Sequence, residues 1–173
     1  MTFLKTAGRN FMPELKPKPV RASLTQISDL TSPVNANING SVFGGVILAI
    51  VDKAAAVCAM RHAEKPCVTV AMERVEFLVP IYIGDYIIAE AHINFAGKSS
   101  MEVGVEVYAE NLSSGTRRHT NSCLVTMVAV GPDGRPTAIP PLSIETPEEK
   151  TRFEEARARH QNRRAQKTKP HEA

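Results

Sequence analysis

Three groups of residues in this 173-residue chain could do chemistry together. The first is Asp52, an acid in the middle of the most apolar stretch of the sequence, Gly44 to Arg61. If that stretch is helical, the residues one turn away are Leu48, Ala49, Ala55 and Ala56, and none is a cation or a donor. Lys53 is adjacent in sequence and projects from another part of the helix. A helix that is apolar nearly all round is a buried one, and a buried carboxylate either finds a tertiary partner or has a task. The alternative puts Asp52 and Lys53 together on a narrow stripe facing solvent. The second group is the amide-rich loop ahead of the helix, with Asn35, Asn37, Asn39 and Ser41. The third is the pair Gly44 and Gly45, where missing Cβ atoms let a ligand approach the free N–H groups of the first helical turn. Together these describe an acyl-transfer site. An oxyanion would rest on the Gly45 N–H and an Asn side chain, with Asp52 as general base on water or as nucleophile. A simpler role for the glycine pair is to let the helix pack close to a sheet.

The rest of the chain must position these groups. Val20 to Ser28 has strand character, and residues 31–40 form a loop dense in turn formers. The long apolar helix follows and is expected to end near His62. Cys67 to Phe77 is β-branched and apolar. After Gly84-Asp85, the residues Ile87, Ala89, Ala91, Ile93 and Phe95 are expected on one face of a strand. Met101, Val103, Val105 and Val107 alternate with Glu102, Gly104, Glu106 and Tyr108, as in a strand with one solvent-facing side. Leu112 to Gly115 is a hairpin turn, and His119 to Val130 the last long strand. Thr146 as N-cap, Pro147 at the first position and Glu148-Glu149 in the first turn start a charged terminal helix. With Phe153 as almost its only large apolar residue, that helix is expected to pack weakly or to reach a neighbouring subunit. The order predicts an α+β fold, one antiparallel sheet wrapped around a long central helix. Residues 1–19 read as an arm, 20–140 as the domain, and 141–173 as a charged helix and tail.

Composition narrows the class. No apolar run approaches the length that crosses a membrane as a helix. The first twenty residues lack the apolar core and cleavage site of a secretory signal. Cys58, Cys67 and Cys123 form no close pair, which fits a reducing, cytoplasmic setting. His62 lies one turn after Cys58, but no third ligand stands near, so no metal is expected. The net charge of +3 is unevenly spread. Residues 1–21 carry five Lys or Arg against one acid, residues 150–173 eight against three, and residues 22–149 eight against fourteen. An acidic centre between basic ends is unlike a nucleic-acid module, whose positive charge lines the folded face.

The run Asn37-Ile-Asn-Gly-Ser-Val-Phe-Gly-Gly-Val-Ile-Leu-Ala-Ile-Val-Asp52-Lys-Ala-Ala resembles the opening signature of the hotdog-fold acyl-CoA thioesterases. It is most similar to the branch holding bacterial short- and broad-range hydrolases and the cytosolic long-chain enzymes of animals. The likeness continues through Val75 to Asp85, Gly97 to Val103 and His119 to Asn121, and covers residues 22–140. It implies hydrolysis of fatty acyl-CoA to free acid and CoA, with no cofactor. It places the family's catalytic asparagine on Asn37, its acid on Asp52 and its carbonyl-binding amide on Gly45. In such enzymes the Asn and the Asp come from different subunits of a dimer, and dimers assemble in threes. Coenzyme A would lie at the subunit interface near Gly44, Lys98, Ser99, Ser100, Arg117, Arg118, Thr120 and Asn121. The chain departs from the family at two places. Lys53 stands where many relatives have an acid, and Phe43 where others have His.

Two other functions fit the same residues. One is a non-catalytic acyl-CoA or lipid-binding hotdog protein in which Asp52 is structural. The other is a nucleic-acid-associated protein using its basic tails. Ser99 and Ser100 lack the elbow and the His partner of a serine nucleophile. Arg117 and Arg118 could pair with CoA phosphates or simply keep a strand edge soluble. The sequence-level expectation for partners is an acyl-CoA substrate and copies of the chain itself, with no nucleic acid and no membrane.

Overall fold

A computed structural model describes residues 15–167. In chain order the elements are β1 (Lys18–Pro19), β2 (Thr25–Leu30), α1 (Gly44–Ala63), β3 (Cys67–Phe77), β4 (Tyr86–Ala96), β5 (Ser100–Asn111), β6 (Thr116–Ala129), β7 (Leu142–Ser143) and α2 (Pro147–Lys167). Five strands form one antiparallel sheet in the order β2-β4-β5-β6-β3. The expected α+β architecture is present, with α1 laid across one face of the sheet. The first expected strand starts later than its sequence suggests, because Val20–Ala22 forms a single 3₁₀ turn. Residues 1–14 of the expected arm and 168–173 of the expected tail lie outside the described residues. Lys18–Pro19 of that arm instead pairs with Leu142–Ser143 as a two-stranded parallel ribbon. Pieces this short leave no periodic signal.

α1 buries Ile47, Ile50, Val51, Ala54, Ala55, Cys58, Ala59, His62 and Ala63, the rows three and four apart that line one face of a helix. Ala54, Ala55, Cys58 and Ala59 have no exposure at all. Their small size lets the helix lie close against Ile87, Ala89, Val103, Val105, Val125 and Met127 of the sheet. The helix ends where Glu64 turns into the left-handed region at φ 54° and its N–H donates to the Met60 carbonyl.

α2 covers the other face, and here three expectations are corrected. Glu102, expected to face solvent, is buried at 1% exposure because Arg159 of α2 grips it through two bonds of 3.2 and 2.7 Å. Phe95, expected on the α1 face, contacts Phe153 and His160 of α2 instead. A β-bulge at Asn94 breaks the alternation between Ile93 and Phe95 and rotates the ring to the opposite side. α2 therefore packs on its own chain, with Ala156 fully buried, and it does so largely through ions. Arg163 adds bonds to Glu73 at 2.5 Å and Glu102 at 3.5 Å.

The two sheet edges differ. β3 is an edge strand with irregularities at Val70 and at Arg74–Val75, where Arg74 takes φ 51°. It leaves Val68, Val70 and Phe77 about half exposed, and Leu78 and Val79 continue the apolar run.

Candidate active site

The loop ahead of α1 is a built structure. Thr31 is buried, and its hydroxyl donates to the carbonyls of Tyr82 and Asp85 while accepting from the Gly84 N–H. The Asn35 side chain accepts from the Ser32 N–H at 2.8 Å, closing a reciprocal capping arrangement. The Val42 N–H donates to the Ile81 carbonyl. Asn35 is thus spent on the loop, and Asn39 is exposed.

Asn37 stands between them with its side chain oriented. Its Oδ1 accepts from the N–H groups of Asn39 and Ser41 at 2.8 and 3.2 Å, and its Nδ2 donates to Ser41 Oγ at 2.9 Å. An amide nitrogen carries two hydrogens, so one remains for a ligand. Asn37 and Ser41 form the polar end of a cleft whose other walls are Val42, Gly44, Ile47 and the segment Phe77 to Ile81. Gly44 and Gly45 begin α1, where the helix itself supplies no acceptor for their N–H groups. No side chain caps this end, so the partial positive charge of the helix is available to an anion.

Asp52 is half-buried rather than dry, and Lys53 is exposed beside it. The carboxylate does have a donor. The Thr69 hydroxyl on β3 donates to Asp52 Oδ1 at 2.6 Å. Nothing in the chain singles out Thr69 beforehand, since a threonine in a β-branched strand is ordinary; only the packing of α1 against the β3 edge brings the two together. Asp52 does not share the Asn37 cleft. It lies two turns beyond Gly45 on a straight helix, about 10 Å away at 1.5 Å per residue. One chain does not bring the acid to the amides.

The remaining candidates fall in two separate places. Lys98 and Ser99 occupy the β4–β5 turn and Ser100 opens β5, whereas Arg117, Arg118, Thr120 and Asn121 lie in the first half of β6. Along β5 from Ser100, Asn121 sits opposite Val107 and Arg117 opposite Glu110, which separates the two groups by about 23 to 33 Å at 3.3 Å per residue within a chain. Arg118 is bound to Asp85 at 2.6 Å and lies over the Tyr82 ring; Arg117 is bound to Glu90 at 2.8 Å and lies 4.0 Å from the Tyr108 ring centre. Thr120 and Asn121 are buried, donating to the carbonyls of Val107 and Glu76. Burial pushes the thiols of Cys58, Cys67 and Cys123 up to about 12, 11 and 11, which leaves them protonated and unreactive. His62 Nε2 is bonded to the Pro140 carbonyl at 3.0 Å.

Residues 39–115 match the family model of the thioesterase superfamily. The chain is 39% identical over 137 residues to the protein VdlD of Helicobacter pylori, covering 79% of this chain and 78% of that one. It is 36% identical over 117 residues to the uncharacterized acyl-CoA thioester hydrolase YkhA of Bacillus subtilis, covering 68% of each. Among solved structures it superimposes on an apo hexameric acyl-CoA thioesterase with TM-score 0.84 and 36% identity, over 90% of this chain and all of that one. The acyl-CoA hydrolase of Staphylococcus aureus, solved with butyryl-CoA and CoA, matches with TM-score 0.79 and 31% identity over 87% and 92% of the chains. The fold is the hotdog, and the chain belongs to the thioesterase superfamily. Within that superfamily it falls among the acyl-CoA thioester hydrolases.

Proposed function

We propose that the protein hydrolyses acyl-CoA thioesters at a composite site, in which Asp52 of one subunit faces Asn37 and the Gly45 N–H of another. The carrying observation is the separation just described: the acid with its Thr69 donor and the amides with their cleft are each prepared, and they stand apart in one chain. A twofold axis places the same two patches opposite each other twice, which makes two complete sites. The Staphylococcus aureus hydrolase has been solved with an Asp, an Asn and a Thr each replaced by Ala. Those three residues are spaced along that chain as Asp52, Asn37 and Thr69 are along this one.

In this reading the thioester oxygen accepts from the Gly45 N–H and from the free hydrogen on Asn37 Nδ2. Thr69 occupies Oδ1 of Asp52, so Oδ2 takes a proton from water as the water oxygen attacks the carbonyl carbon. The tetrahedral oxyanion rests on the two donors and on the helix N-terminus. Its collapse breaks the C–S bond, and CoA leaves as a thiolate that recovers the proton from Asp52. No metal or cofactor enters these steps. CoA would lie along the interface, where the Lys98–Ser100 turn of one subunit and the Arg117–Asn121 segment of another can come near a single ligand. The assembly is a homo-oligomer built on dimers, with three dimers as the proposed full form.

Complementation tests the composite site. Asp52→Ala and Asn37→Ala, each inactive alone, should recover roughly a quarter of wild-type turnover when co-expressed, since half the random dimers carry one intact site of two. Recovery absent in demonstrably mixed dimers would sink the proposal.

A further inference from the structure

Two phenylalanine rings flank the glycine pair. A Cβ built on Gly45 would fall on the Phe43 ring, 2.9 Å from its Cζ, and one on Gly44 would meet the Phe77 ring at 3.4 Å. The Phe43 ring therefore lies on the bare backbone of Gly45 itself, and a side chain at position 45 would displace it. Both rings are well exposed, 58% for Phe43 and 53% for Phe77. Both are carried on fixed backbone. The Phe43 N–H donates to the Asn35 carbonyl at 2.8 Å, while Phe77 is paired with Asn121 on β6. Phe77 also walls the cleft that starts at Asn37.

A carbonyl oxygen held on the Gly45 N–H brings the first carbon of the acyl chain over the same two glycines. That carbon then lies beside both rings, since the atoms nearest a Cβ built on Gly45 all belong to Phe43 and those nearest one built on Gly44 belong to Phe77. We infer that Phe43 and Phe77 are specificity-determining residues, forming a slot that admits an unbranched carbon next to the thioester carbonyl and rejects a branched one. This inference rests on the proposed carbonyl position, and its test separates the two.

The measurement is kcat/KM for butyryl-CoA and for 2-methylbutyryl-CoA, which differ at that carbon by one methyl. A hydrophobic pocket discriminates against one such group by about 10- to 200-fold, so the wild type should favour butyryl-CoA by at least about tenfold. Phe43→Ala should narrow that ratio about tenfold, Phe77→Ala should narrow it less, and Phe43→Leu should fall between wild type and Phe43→Ala. A ratio unchanged in all three variants, whether the two rates hold or fall together, overturns the slot. Loss of assembly by light scattering with the ratio unchanged would assign the rings to packing against a second copy and overturn it equally. A wild type that turns over butyryl-CoA and keeps doing so as Asp52→Ala would instead sink the parent reading.

Discussion

The sheet carries a helix on each face, and the two are attached by different physics. α1 lies on aliphatic side chains of the sheet through alanines and a cysteine that have no exposure, and its position is set by shape. α2 buries one alanine completely, sets Phe153 and His160 against Phe95, and adds the ion pairs of Arg159 and Arg163 with Glu102 and Glu73. Close packing is indifferent to salt and pH, whereas ion pairs respond to both, the half-exposed Glu73 pair more than the buried Glu102 pairs. The proposed catalytic acid sits on the helix fixed by shape. The difference teaches that α2 can loosen while the spacing between Asp52 and Thr69 stays intact.

Four measurements break or sharpen that contrast. Asp52→Ala should lower kcat by about 10²- to 10⁴-fold with little change in thermal stability, since a half-buried side chain on a well-packed helix is removed. A large fall in Tm would show that the acid holds the fold. Glu102→Ala should do the reverse. It leaves two guanidinium groups without their buried partner and should cost about 3 kcal/mol in urea unfolding, with kcat unchanged. A matching loss of kcat would mean that the two faces are coupled. Thr69→Val keeps the shape of the side chain and deletes the donor to Asp52, so kcat should fall about tenfold with the fold intact.

The smallest effect is on the pH dependence of stability. Burial, followed by the charge of Arg152, lowers the pKa of His92 under α2, and burial lowers that of His62 on the last turn of α1. Both groups bind a proton more readily when unfolded. Stability is therefore flat above their ordinary value of 6.5 and falls as pH drops below it. His92→Gln should remove part of that acid sensitivity and leave the pH profile of kcat unmoved. A shifted kcat profile would couple the α2 face to the site.

How much of this was legible depended on whether partners lie close in sequence. Asn37, Gly44, Gly45 and Asp52 share one loop-and-helix run, and helical periodicity gives their spacing without any tertiary information. Thr69 was invisible because its role exists only where β3 passes α1. Glu102 was misread for the same reason. Alternation along β5 identifies two faces but not what covers each, and the charged helix that covers Glu102 is some fifty residues away. Phe95 was misplaced because a bulge at Asn94 has no signature in a run of β-formers. The separation of acid from amides was readable as helix length, but which chain supplies each half was not.

The open rim of β3 also bears on how the polypeptide meets other chains. Val68 and Val70 offer other chains a sticky outer edge, and the kinks at Val70 and Arg74 make it a poor template for indiscriminate pairing.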